Sequence, residues 1–146
     1  MSWDLLAFDA PLDFKSPSKE DIPEGWEPKP FGLRSEVEAK LKLLLPGVQF
    51  KVFNIREGTA TLWGFWSHEG YSLEISLGET EHITYLWIAA RGDGKSLYTI
   101  AEIIEAFGLR GVDLQRGEFF DIETARESFG QWRKAVDRFR NQNIKG

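Results

Sequence analysis

A chain of 146 residues with 42% apolar and 14% aromatic side chains has the size of one domain and too much hydrophobicity for a disordered chain. Its net charge of −5 argues against a general nucleic-acid surface, and the absence of cysteine excludes disulfides, thiolate metal sites and a cysteine nucleophile. No apolar run reaches the length of about 18 residues that spans a bilayer, and the acid-bearing opening MSWDLLAFDAPLD lacks the basic region of a signal peptide, so a cytoplasmic protein away from membranes is expected.

SWDLLAFD (2–9) reads as a strand, half alternating and rich in aromatics. Residues 10–34 hold five of the six prolines and cannot form a regular element. They predict a long, acidic, extended loop with Phe14, Ile22, Trp26 and Phe31 as anchors, and loops of this length are usually functional or mobile. The charge is uneven. Residues 1–30 carry seven acids and three lysines, whereas residues 131–146 carry five basic residues and one acid.

SEVEAKLKLLLPG (35–47) predicts a helix. Ser35 and Glu38 have capping-box spacing, Val37, Leu41, Leu44 and Leu45 share a face, and Pro46-Gly47 ends it. Four strand signals follow at 48–55, 59–66, 71–78 and 82–90. In the third, Tyr71, Leu73, Ile75 and Leu77 alternate with Ser72, Glu74 and Ser76. The fourth is apolar on both faces and so expected to be central. The linkers are three or four residues long, which joins antiparallel neighbours, because a parallel crossover needs a dozen or more.

KSLYTIAEIIEAFG (95–108) predicts a second helix lined by Leu97, Ile100, Ala101, Ile104 and Phe107, with Gly108 at its C-terminal cap. Residues 111–121 suggest two short extended pieces around a turn at Arg116-Gly117. Residues 124–142 predict a third, amphipathic helix with Thr124 and Glu127 as a capping box. Its apolar stripe is Ala125, Phe129, Trp132, Val136 and Phe139, beside a basic face. The fold class expected is α+β: one domain over 1–146, a two-layer sandwich of a mainly antiparallel meander sheet with about three helices.

The stretch AARGDGKS (89–96) nearly spells a phosphate-binding loop, whose glycines would free backbone N–H groups for phosphate while Lys and Ser supplied charge and a magnesium ligand. On that alternative Gly92, Gly94, Lys95 and Ser96 would bind phosphate. The motif belongs to parallel sheets, and here it follows an antiparallel meander, so a Gly-rich turn that starts a helix is expected instead. His68 and His82 lie at turn ends without further ligands at metal spacing, so no metal and no cofactor are expected. No GxSxG occurs, and Glu57, Glu69, Glu79, Glu81, Glu118 and Asp121 all lie outside apolar runs that would perturb them. No catalytic residue is named, and an enzyme is not the favoured reading.

The aromatic residues carry more information. Alternation puts Trp63 with Phe65 on one face of their strand, and Tyr85 with Trp87 on one face of theirs. If the helices cover one face of the sheet, these four can form a patch on the other, with Trp26 of the proline-rich loop as a partial cover. Whether both pairs share a side depends on register, which alternation leaves open.

The opening MSWDLLAFDAP, the loop DIPEGWEPKPFGLRSEV, the strand YSLEISLG and the turn after LWIAARGDG resemble a family of small, uncharacterised bacterial proteins. The resemblance covers most of the chain up to about Asp121. It implies a single cytoplasmic α+β domain and no established activity, cofactor or catalytic residue. Three expectations stand side by side. The first is a non-enzymatic protein-binding module, of the kind represented by immunity proteins, with Trp63, Phe65, Tyr85, Trp87 and Trp26 as the binding residues. The second is a nucleotide or phosphate binder at 89–96, and the third a self-associating structural protein. The partner would be another protein, and the chain itself a monomer or homodimer.

Overall fold

The strand patterns assemble into one seven-stranded sheet in a computed structural model that describes residues 2–54 and 58–122, with the separate positions Glu127, Gly130, Lys134 and Arg138. The elements are β1 (Trp3–Phe8), β2 (Gly32–Leu33), α1 (Arg34–Leu44), β3 (Gln49–Phe53), β4 (Thr61–His68), β5 (Tyr71–Gly78), β6 (His82–Ile83), β7 (Tyr85–Gly92), α2 (Ser96–Phe107), β8 (Arg110–Asp113) and β9 (Glu118–Phe119). The large sheet has the order β3-β4-β5-β7-β1-β8-β9, and each of its pairings is antiparallel. β2 and β6 make a separate two-stranded sheet, also antiparallel. The short linkers between β3, β4, β5 and β7 thus join neighbours, and β7 is the central strand.

One face of the large sheet is the core. Trp3, Leu5 and Ala7 of β1, Leu73, Ile75 and Leu77 of β5, and Leu86, Ile88 and Ala90 of β7 are buried there. Val37 and Leu41 of α1 and Leu97, Ile100, Ile103 and Ile104 of α2 complete the same cluster, so both helices lie on this side. Gly64 and Gly111 let layers approach. A Cβ on Gly64 would come within 2.9 Å of the Phe50 ring, and one on Gly111 within 2.8 Å of Ile104 Cδ1. Lys40 ties α1 to the end of α2, its ammonium 4.8 Å from the Phe107 ring centre and donating to the Ala106 carbonyl, where a cation suits the helix dipole.

The structure differs from the sequence expectations in four places. The long loop ends earlier than residue 34, because Gly32–Leu33 pairs with β6 and α1 starts at Arg34. The capping box of Ser35 and Glu38 is replaced by a half-box two residues earlier: the Leu33 N–H donates to Glu36 Oε1 at 3.0 Å, and leucine has no side-chain acceptor to return the bond. Residues 82–90 break at Thr84 into β6 and β7, since the first part pairs with β2 and the second with β1 and β5. Two helices are described rather than about three. Of the helix expected over 124–142, Glu127, Gly130, Lys134 and Arg138 have helical backbone, and the remainder, including Thr124 and the stripe around Trp132, lies outside the described residues.

Candidate functional site

Register settles where the aromatic side chains stand. Across the sheet, Lys51 pairs with Trp63, Trp63 with Ser76, Ser76 with Trp87, and Trp87 with Leu6. Directly paired residues point to the same side of a sheet. Phe65 shares a side with Trp63, and Tyr85 with Trp87, so all four lie on the outer face, opposite both helices. Trp63 and Trp87 are two strands apart, about 10 Å, with the small, buried Ser76 between them. Tyr85 and Trp87 keep 39% and 38% of their surface exposed, and Trp63 and Phe65 are half-buried.

The proline-rich loop covers the other half of this face. Phe8, Ala10, Phe14 and Val112 form a small second core, with Leu6, Ile22, Trp26 and Phe119 packed on it. The Trp26 ring lies 6.0 Å from Phe8 and 5.1 Å from Phe14. Arg110 of β8 fastens the loop down. Its Nη1 donates to the Pro11 carbonyl at 2.8 Å and the Phe14 carbonyl at 2.7 Å, while the guanidinium sits 3.6 Å above the Phe119 ring centre. Burial lowers the pKa of this guanidinium, and the charge of Asp13 partly offsets the shift. Arg110→Ala should therefore release the loop before it unfolds the sheet. It removes two charged hydrogen bonds and a cation–π contact, about 2–3 kcal/mol together. Trypsin cleavage after Lys15 and Lys19 should speed up in the folded variant, and an unchanged cleavage rate would show that the apolar contacts hold the loop by themselves.

Where the covered half ends, a groove opens. Leu6, Phe8, Tyr85 and Trp87 floor it as two paired positions on β1 and β7, and Trp26 and Pro28 of the loop form its wall. Its volume is about 380 Å³. A shallower hollow of about 290 Å³ lies across β5, among Phe53, Trp63, Phe65 and Glu74. Phe53 and Phe65 meet there edge to face at 6.1 Å, and Glu74 is held by Arg91 at 2.6 Å. The five aromatic residues named from the sequence thus fall on one face but in two hollows: Trp26, Tyr85 and Trp87 in one, Trp63 and Phe65 in the other. Sequence reasoning missed Leu6, Phe8 and Pro28. The signal for the first two was present, since Leu6 and Phe8 alternate with the core residues Leu5 and Ala7.

The stretch 89–96 forms a closed turn. β7, which leads into it, runs antiparallel to both of its neighbours. The Asp93 N–H donates to the Gly70 carbonyl at 3.0 Å, so the turn is pinned to the β4–β5 hairpin. The Asp93 carboxylate accepts the Lys95 N–H at 2.9 Å, and the Ser96 hydroxyl donates to the Asp93 carbonyl at 3.1 Å. Ser96 is fully buried and Lys95 is exposed. An acid therefore takes a backbone donor that a phosphate would need, and the serine is turned inward. The helix N-cap is Lys95, with no side chain capping it, so Asp93 acts on the turn rather than as the cap. Lys95→Ala should change stability by no more than about 0.5 kcal/mol. Titration of both forms with magnesium and ATP should give matching curves, and a nucleotide affinity lost in the variant would refute the turn reading.

The polar candidates are scattered. His68 is stacked parallel on Trp66 at 5.5 Å, His82 lies on β6, and both are exposed. Glu69, Glu79, Glu81, Glu118 and Asp121 are exposed, and Glu57 lies outside the described residues. The buried Asp113 serves the β8–β9 turn, where its carboxylate accepts the Gln115 N–H at 2.9 Å. Among the described residues, no group of three or more metal-ligating side chains could hold an ion, and no helix is long and apolar enough to cross a membrane. In comparisons with known proteins, no family model, no curated protein and no solved structure matches the chain.

Proposed function

We propose that the protein is a non-enzymatic protein-binding module and that it binds through the outer face of its sheet. One observation carries the reading: the half-exposed Tyr85 and Trp87 line the floor of an apolar groove on the face that neither α1 nor α2 covers. Large aromatic rings at an open apolar surface are the residues that supply most binding energy at protein interfaces. Their polar ends, the phenol hydroxyl and the indole N–H, let them face water when the partner is absent. The acidic net charge suits rapid capture of a basic partner. Neutralising such a partner, as immunity proteins do to toxins, is one role open to a module of this kind.

The test uses Trp63→Ala and Trp87→Ala. A partner isolated with the wild-type chain should bind either variant at least about tenfold more weakly, as truncating a central aromatic anchor does. Melting temperatures should move far less than for a core substitution, because both rings are partly in solvent. Equal affinities for the partner in wild type and both variants would remove the outer face as the binding surface.

A further inference from the structure

The chemistry of a ligand for the groove can be read from its rim. The loop segment from Asp9 to Pro30 carries six acids against three lysines. Three of these acids adjoin the groove in sequence: Asp9 follows Phe8, Glu27 separates Trp26 from Pro28, and Glu24 lies two residues before Trp26. At the opposite end, a Cβ on Gly78 would meet the Tyr85 hydroxyl at 3.2 Å, and Glu79 is the next residue in the chain. All four acids are exposed, and among the described residues none of them is in an ion pair. Lys29 lines an adjoining hollow with Asp9 and Trp26, so the acids of the loop outnumber its lysines without excluding them from the rim.

The same face already holds an arginine in the manner such a rim would favour. Arg110 sits above the Phe119 ring and donates to two loop carbonyls at the covered end. The uncovered end offers open aromatic rings, walled by a loop whose exposed acids include Glu27 between Trp26 and Pro28. Shape narrows the ligand further. The floor is two strands wide, about 5 Å from strand to strand, and Trp26 and Pro28 wall it on one side. Along the strands the floor runs over two paired positions, Leu6 with Trp87 and Phe8 with Tyr85, which about two or three residues of an extended chain laid against the wall would cover.

Resting on the reading of the outer face as a binding surface, we infer that the groove receives an extended, net-positive segment of a partner protein. An apolar residue of that segment seats between Trp26 and Trp87, and a neighbouring arginine lies over the Tyr85 ring within reach of the acid rim. The rim sets sign selectivity and speeds encounter, and the aromatic floor supplies most of the affinity.

A random twelve-residue peptide library displayed against the full chain tests this. Enriched peptides should carry net positive charge and arginine next to apolar residues. The best of them should bind Trp87→Ala at least about tenfold more weakly. Glu27→Lys, an exposed change that leaves the melting temperature in place, should weaken the same peptide several-fold. Neutral or acidic peptides that nevertheless depend on Trp87 would overturn the charge inference and leave the binding face standing. Enriched peptides indifferent to Trp87→Ala, or a library that yields no enrichment, would overturn both.

Discussion

Gly92→Ala should destabilise the protein by about 3–5 kcal/mol, enough to bring a domain of ordinary stability close to unfolding. Two independent effects add at this position. Gly92 has φ +107°, a conformation that L side chains rarely adopt. It is also where two backbones touch. A Cβ would lie inside contact distance of the Gly70 carbonyl oxygen and 2.6 Å from the Tyr71 Cα. Neither neighbour is a flexible side-chain tip. Both belong to the β4–β5 hairpin, which is held there by the β5–β7 ladder and by the Asp93 N–H bond to Gly70. Relief would require β7 to move from β5 at the centre of the sheet. Gly108→Ala is the internal control, because φ there is +65° but the space around it is open. It should cost about 1 kcal/mol, the strain term without the clash. Urea unfolding of the two variants separates the effects, and similar losses in both would mean that the close approach at Gly92 relaxes cheaply. The result also bears on the resemblance of 89–96 to a phosphate loop, because a backbone pressed against Gly70 and Tyr71 has no room for a phosphate on that side.

Local features of the fold were legible in the sequence, and relations between distant segments were not. The alternation of Tyr71, Leu73, Ile75 and Leu77 against Ser72, Glu74 and Ser76 fixes the faces of β5, because the side-chain period is two wherever one face is buried. Linkers of three or four residues left antiparallel pairing as the economical choice for β3 to β7. The place of β1 between β7 and β8 was hidden, since no local pattern records which strands a first strand will join. The double-sided apolar pattern of 82–90 points to a central strand, and β7 is the middle strand of the large sheet. In the structure one face of β7 is core and the other carries Tyr85 and Trp87 in solvent contact. The first residues of that run also leave to pair with β2, a break that Thr84 does not advertise.

The candidate site was half legible for the same reason. Trp63, Phe65, Tyr85 and Trp87 could be paired by alternation, but placing both pairs on one side required the Trp63–Ser76–Trp87 register. Arg110 gave no signal as the clasp of the loop, because its partners are backbone carbonyls 96 and 99 residues away. The loop covers the outer face over β1, β8 and β9 and stops short of β7, and that boundary creates the groove. A hydrophobic sheet face is an aggregation hazard when bare. Here one chain segment, carrying six acids against three lysines from Asp9 to Pro30, shields half of it.

Trp3→Ala should be the most damaging change in β1, at about 3–5 kcal/mol. Of the five described tryptophans, Trp3 alone is fully buried. It lies on the inner face opposite Ala90 of β7, and its ring meets Phe120 edge to face at 6.1 Å. The side chain therefore joins the start of the chain to the central strand and to the segment after β9. Those contacts are long-range, and β1 is the strand through which β8 and β9 attach to the rest of the sheet. Losing the indole leaves a cavity that the small Ala90 cannot fill, and the sheet cannot close it without shifting β1 against α2. Trp3→Phe keeps an aromatic edge toward Phe120 and should recover more than half of the loss. Denaturant midpoints with a common slope would establish the order wild type, then Trp3→Phe, then Trp3→Ala. An Ala variant as stable as wild type would mean that the strand is held by its backbone ladder and by Leu5, with the indole contributing little.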